Sequence, residues 1–437
     1  MFAMIRSVRS SSSRLLDVLN PQRGRTFAPR YEAAFDNGRT RFDNGGNGTI
    51  DALSHNFILS KRKISSSAYR GASVFSGWKS NNDWHHPDFL SDTTLKEKEA
   101  WLEAMLAAEW KAVDVEAYIF VLNALADAEI EDAGAPRRAE RWMKRLKDHH
   151  TLYPTAECYQ HVIQAWANSS KEQVVVIVNR AERWLNDLIA ESKAHPERIQ
   201  PTIECFNAFL DACTRGRSGS NKRNQHIVHQ NAQKADALLR HLHSHHHHMG
   251  DHTHPIPNTD TFNFVLRGWT RCIRDDFGAT KVLSLLRLME SYQRSNPLNP
   301  EVRPDTKSYT MAMQALVGVA KIKARRCAKG RVFNEDISKN GISELKEAEA
   351  ILNYMHELHN AGVEGVVPST VPYNVLITGW ASLANFKHNN SPFTAEEILR
   401  TMLSHKDKGL VEASPDRLSF EKVSFGYDPL YCSIYSC

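Results

Sequence analysis

The chain has 437 residues, with 55 Lys and Arg against 50 Asp and Glu, a formal net charge of +5. That length suits two or three conventional domains or one extended array, and the mild basicity permits a nucleic-acid partner without requiring one. No run of about 18 apolar residues occurs, which excludes a membrane-spanning helix, and the seven cysteines (158, 205, 213, 272, 327, 432 and 437) contain no Cys-x-x-Cys pair, against a disulfide scaffold or a four-cysteine zinc site.

Residues 1–35 hold Arg6, Arg9, Arg14, Arg23, Arg25 and Arg30 against two acids, Asp17 and Glu32, with serines from Ser10 to Ser13. Ile5, Val8, Leu15, Leu16 and Leu19 lie among the arginines. A basic, Ser-rich, acid-poor amphipathic start has the character of a mitochondrial transit peptide, with a plastid address as its rival. Residues 36–90 are rich in Asn, Gly, Ser and Asp and lack helical period, which predicts an unfolded linker.

From residue 91 to 425 the chain repeats itself. A proline precedes an aromatic by five places in six segments: Pro154 with Tyr159, Pro201 with Phe206, Pro257 with Phe262, Pro304 with Tyr309, Pro368 with Tyr373, and Pro415 with Phe420. An earlier copy ends on Tyr118 and has Val113 in the proline's place. Successive aromatics are 41, 47, 56, 47, 64 and 47 residues apart, so the unit is constant and its spacers vary.

Apolar residues fall three, four and seven places after the aromatics: Tyr159 leads to Val162, Ile163 and Trp166, and Tyr373 to Leu376, Ile377 and Trp380. This is one face of an α-helix. The proline sets the entering turn, and the Thr, Asn, Asp or Ser behind it suits a helix start. A second helix is marked by Ala139, Ala181, Ala235, Ala279, Ala348 and Ala395, each followed by apolar residues at the same spacings. Lys98 takes the alanine's place before Trp101, Leu102 and Met105, so the array opens with a lone second helix. One helix pair has too little core to fold alone, and stacked pairs share a continuous one. The expected fold is therefore all-α, an α-solenoid of stacked helix-turn-helix repeats, with a tail at 426–437.

These segments resemble the pentatricopeptide repeat family, whose hallmark is Pro-Asp-x-x-x-Tyr-Asn, then an apolar helix, then an Ala-marked second helix. Pro304-Asp305 with Tyr309, and Pro368 with Tyr373-Asn374, are close matches, and the likeness covers about residues 95–424. Family units run near 35 residues; these are longer, with the excess at loop positions. The resemblance implies binding of single-stranded RNA, one base per repeat. It assigns the readers as the residue after each aromatic and the residue after the next proline. Carried over, Asn207 pairs with Asn258, Asn263 with Asp305, Thr310 with Ser369, and Asn374 with Asp416. By the same resemblance the two Asn–Asp pairs favour uracil and Asn207–Asn258 a pyrimidine, while Thr310–Ser369 defines no base. Ile119 with Thr155 and Gln160 with Thr202 depart from the family's choices, and Glu421 has no downstream partner. A tetratricopeptide array is the structural rival, but no unit shows its Trp-x-x-Leu-Gly-x-x-Tyr.

Two basic runs, 214–223 and 321–331, read as solvated loops able to touch phosphates. The eight histidines of 241–254 read as a low-complexity loop. His195-Pro196-Glu197 mimics a zinc deaminase signature without its Pro-Cys-x-x-Cys, and His356 to His359 is one residue short of His-Glu-x-x-His. The reading therefore expects no catalytic residue, no metal ligand and no cofactor. It expects a monomeric, organellar, non-catalytic RNA binder, serving RNA processing, stability or translation, most simply in the mitochondrion. The alternative is a helical scaffold for proteins of an organellar ribosome or processing complex.

Overall fold

The computed structural model describes residues 94–107, 113–128, 134–170, 172–215, 222–248, 255–272, 276–295, 302–328, 341–384 and 391–426. The expected address at 1–35, the linker at 36–90 and the tail from 427 onward lie outside them. Among the described residues every regular element is helical, fourteen α-helices and one 3-10 turn at Val411–Ala413. The all-α class is the one that the repeat pattern predicts.

The described residues form two compact units, one from 94–172 and 180–200, the other from 173–179 and 201–426. The first holds α1 (Leu95–Ala107), α2 (Val115–Ala126), α3 (Ala135–Lys147), α4 (Ala156–Asn168) and the body of α5 (Val174–Ala194). The second holds α6 (Ile203–Arg215), α7 (Lys222–His248), α8 (Thr259–Thr270), α9 (Asp276–Ser295) and α10 (Thr306–Ala328). It continues with α11 (Ile342–Asn360), α12 (Thr370–Ala384), α13 (Ser391–Asp407) and α14 (Arg417–Gly426).

Local chemistry sets the helix starts. Asp114 accepts the Ala117 N–H at 3.1 Å and caps α2, and Asn258 with Thr261 forms a reciprocal capping box on α8. Pro136 sits in the first turn of α3, where its missing N–H costs nothing. Lys144, Arg145 and Lys147 in the last turn of α3 face the negative end of its dipole.

Burial then fixes the faces. Tyr118, Tyr159, Phe206, Phe262, Tyr309 and Tyr373 are all fully buried, each worth about 1.5–3 kcal/mol of apolar transfer. The marker alanines of the second helices are buried with them. Phe420 is the exception at 51% exposed, because no described helix follows α14 to cover it.

The packing repeats. In the second unit the first helices contact one another in series, α6 on α8, α8 on α10, α10 on α12 and α12 on α14. Each second helix lies against the first helices on either side: α7 on α6 and α8, α9 on α8 and α10, α11 on α10 and α12, α13 on α12 and α14. In the first unit α2 packs on α4 in the same manner, with α3 against both. The series brings first helices close. A Cβ on Gly268 would stand 2.9 Å from the Thr214 methyl, and one on Gly379 would stand 2.7 Å from Leu345 Cδ2 and 3.0 Å from Val317 Cγ2.

Two expectations about loops are corrected. The His-rich segment is helical as far as His248 in α7, and the basic segment 321–331 is helical as far as Ala328 in α10. Helix propagation adds a hydrogen bond per residue once a turn exists, so polar residues extend a helix whose apolar face is already packed. Lys323 pairs with Glu344 at 2.6 Å, and His243 meets the Tyr292 hydroxyl from α7.

Candidate nucleic-acid interface

Each first helix carries its candidate reader one residue beyond the buried aromatic. The aromatic anchors the helix face, so the next residue stands at a fixed angle beside the core. The partner residue immediately precedes the next first helix. Series packing of first helices therefore sets the two side by side.

Three of the four pairs are hydrogen-bonded. Asn207 Nδ2 donates to Asn258 Oδ1 at 3.2 Å. Asn263 Nδ2 lies 3.2 Å from both Asp305 oxygens. Asn374 Nδ2 donates to Asp416 Oδ1 at 3.0 Å. Thr310 and Ser369 are not brought together in this way: Thr310 Oγ1 donates to the Thr306 carbonyl of its own helix at 2.6 Å. In the first unit Ile119 is buried, as suits packing, while Gln160 is half-buried and Thr155 exposed; Thr202, in the second unit, is exposed.

The pairs are inclined to solvent through their second member. Asn263 and Asn374 are 7% and 8% exposed and Thr310 6%, Asn207 is half-buried, Asn258, Asp305 and Ser369 are half-buried, and Asp416 is exposed. Burial opposes ionisation of Asp416, but the Ser419 N–H, the Asn374 amide and the Ser419 hydroxyl outweigh it and hold its carboxyl below the usual carboxylate range.

A third residue closes each pair, one that sequence reasoning missed. Thr261 Oγ1 donates to Asn207 Oδ1 at 2.8 Å, Ser308 Oγ to Asn263 Oδ1 at 2.7 Å, and Ser419 Oγ to Asn374 Oδ1 at 2.7 Å. All three hydroxyl residues have no exposed surface.

Threonine two places after the proline ties successive units at the backbone, also unforeseen. Thr259 Oγ1 donates to the Arg303 carbonyl at 2.9 Å and accepts the Arg303 N–H at 3.0 Å. Thr306 donates to Gly365 and Val367 carbonyls at 3.1 Å and accepts the Val367 N–H at 2.7 Å. Thr370 donates to the carbonyls of Glu412 and Ser414 at 3.0 and 2.6 Å. The fixed place of Thr after Pro257, Pro304 and Pro368 is the signal in the sequence.

Positive charge collects beside two of the pairs. Asn207, Asp211 and Arg215 follow one another at i, i+4 and i+8 on α6, and Asn263 and Arg267 do the same on α8 with Arg271 at its C-cap, about 6 Å per step. Asp211 is 2% exposed and pairs with Arg215 at 2.8 Å and with Arg267. Arg267 also donates to Thr214 Oγ1 at 2.7 Å, and Arg271 to the Thr214 carbonyl. Two guanidinium groups thus share one carboxylate, and the third, of Arg271, is bonded to the Thr214 carbonyl beside them. Burial, and then the charge of Arg267, pull Arg271 below the ordinary arginine value. Among the described residues no group of three or more His, Cys, Asp or Glu is placed to hold a metal ion.

In comparisons with known proteins, no family model and no curated protein matches the sequence.

Proposed function

We propose that the chain binds single-stranded RNA, as the resemblance to pentatricopeptide repeats implies, through the first-helix ends that carry Asn207, Asn263 and Asn374 with their partners. The observation that carries this reading is the recurrence of one Asn-to-helix-start hydrogen bond three times at one phase of the repeat. A lone Asn there is a surface or capping residue; a periodic set of amide–carboxylate or amide–amide pairs offers each successive base a donor beside an acceptor. An Asn N–H with an Asp oxygen complements a uracil edge, where the N3–H donor lies beside the O2 and O4 acceptors.

Readout of a few bases at about 1–3 kcal/mol each leaves binding weak. The Arg215, Arg267 and Arg271 cluster supplies the remaining attraction by neutralising phosphates. The mechanism is passive. Held in place, the RNA segment is shielded from nucleases, kept out of hairpins, or presented to a processing or translation factor. The arginine-rich start at 1–35 directs the chain to the mitochondrion in this reading, with the plastid as the alternative.

Exposed Leu418 and Phe420 on α14 favour a second reading, a scaffold that binds protein in an organellar ribosome or RNA-processing complex. Titration of labelled poly-U and poly-A over a range of salt separates the two. RNA binding predicts poly-U held more tightly than poly-A, with affinity falling as salt rises. Replacing Asn263 and Asn374 together by Ala should reduce the preference and leave helix content unchanged. No RNA binding, together with salt-resistant co-purification of one protein, overturns the RNA reading.

A further inference from the structure

We infer that Thr261, Ser308 and Ser419 are positioning residues for base discrimination: a buried hydroxyl clamps each candidate reader amide in the one orientation that turns its N–H toward the neighbouring helix start. The inference rests on the RNA-binding reading and adds to it the residues that determine specificity.

The argument begins with the ambiguity of an amide. Asn presents an oxygen and an NH₂ of nearly equal shape, and a half-turn exchanges donor for acceptor. A reader that flips freely offers a base either pattern and selects neither. Asp305 alone biases Asn263, because its oxygens only accept. The hydroxyl of Ser308 completes the bias from the other side. Its oxygen accepts the Asp305 N–H at 3.2 Å, and its single proton lies between two acceptors, Asn263 Oδ1 at 2.7 Å and Asp305 Oδ1 at 2.8 Å. Asp305 Oδ1 already takes the Ser308 N–H at 2.8 Å and lies 3.2 Å from Asn263 Nδ2, which leaves Asn263 Oδ1, at 2.7 Å, as the carbonyl in need of a donor. Reversal of the amide would set its oxygen against the carboxylate.

Ser419 repeats this around Asn374 and Asp416: it accepts the Asp416 N–H at 3.1 Å, and Asp416 takes the Ser419 N–H at 2.8 Å. Thr261 repeats it around Asn207 and Asn258, with Asn258 N–H to Thr261 Oγ1 at 3.1 Å and Thr261 N–H to Asn258 Oδ1 at 3.0 Å. All three hydroxyls are sealed from water, so no solvent proton competes.

The chain carries its own contrast. Every clamp hydroxyl lies three residues past the helix-start partner. Where the first member of the pair is not Asn, that place holds no hydroxyl: Cys158 stands three places past Thr155, paired in sequence with Ile119, Cys205 three past Thr202, paired with Gln160, and Pro372 three past Ser369, paired with Thr310. The hydroxyl tracks the helix-start residue equally, Asn258, Asp305 and Asp416 against Thr155, Thr202 and Ser369, so the affinity ratio below is what separates its capping role from the clamp.

The test uses the full chain with Ser308→Ala and Ser419→Ala combined, and with Ser308→Thr and Ser419→Thr as the conservative rescue. Two readouts are taken: the affinity ratio of labelled poly-U over poly-A, and hydrogen exchange of the side-chain amides after selective ¹⁵N labelling of Asn. The expected result is a ratio reduced about fivefold or more in the Ala variant, faster exchange of the Asn263 and Asn374 amides, and recovery of both in the Thr variant. A merely structural hydroxyl would lower the thermal midpoint and leave the ratio where it was; that result overturns the inference while the RNA reading stands. If the parent shows no preference for poly-U, base reading by these pairs falls. The exchange data then decide the clamp alone, and unchanged exchange in the Ala variant overturns it.

Discussion

Glu140 shows how much one side chain can carry in the first unit. Its Oε1 accepts the Trp166 indole N–H at 3.1 Å and the Trp184 indole N–H at 2.9 Å, and Arg180 lies 3.4 Å from Oε2, all around a residue only 9% exposed. Glu140→Ala leaves two buried donors without an acceptor, at about 1–3 kcal/mol each. Thermal unfolding should show a loss of roughly 2–6 kcal/mol on that principle, and Glu140→Gln, which keeps an acceptor oxygen, should lose less than half as much. A second residue-scale prediction concerns pH. The Tyr373 hydroxyl lies 2.7 Å from His356 Nε2 and 2.5 Å from His405 Nδ1. Burial first, then the charges of His405 and His359, pull His356 down to about 4; burial and then Lys408 hold His405 low as well. The unfolded chain takes its proton near the ordinary 6.5 of the imidazole, before the folded chain does. The contribution of this cluster to stability is therefore whole above about pH 6.5 and is lost as pH falls toward 4. The thermal midpoint of the parent should drop more steeply across that window than that of His356→Gln, and equal slopes would contradict the assignment.

First helices approach closely because of a residue type that recurs six places after each aromatic. The series reads Ala124, Ala165, Ala212, Gly268, Ala315, Gly379 and Gly426. It was as legible in the sequence as the aromatics, and it explains why α12 sits against α10 and α8 against α6. Gly379→Val drives two methyl groups into Val317 and Leu345, so over-packing of about 1–3 kcal/mol is expected. Chemical denaturation should show a lower midpoint with an unchanged slope; a neutral result would mean that the two helices separate at no cost. The aromatic spacings of three, four and seven predicted the buried faces correctly, since those positions are decided by the core. The ends of α7 and α10 were not legible. His241, His243, Lys321 and Lys323 look like loop residues by composition, and their helicity is set by neighbours far along the chain, as Glu344 for Lys323 shows. The site was legible in the same uneven way. Asn207, Asn263 and Asn374 stood out by phase, whereas nothing local singles out Thr261, Ser308 and Ser419, whose second hydrogen bond crosses 45 or more positions of sequence.

At the scale of the whole molecule the net charge of +5 says little, because the charge that matters is local. Eight places after Asn207 and Asn263 stand Arg215 and Arg271; eight places after Thr310 and Asn374 stand Gly318 and Ser382. Phosphate attraction should therefore concentrate at the α6 and α8 pair instead of spreading along the array. For a single strand each neutralised phosphate adds about 0.7 to the slope of log affinity against log salt. Replacing Arg215 and Arg271 by Gln while Arg267 stays to neutralise Asp211 should reduce that slope by about 1.4 and weaken poly-U and poly-A alike. The Asn263 and Asn374 double variant should do the opposite, reducing the preference and leaving the slope. Two variants that move different observables are the signature of separate phosphate and base contacts. A scaffold for protein would show neither, and a slope unchanged by the loss of both arginines would place the phosphate contacts elsewhere on the chain.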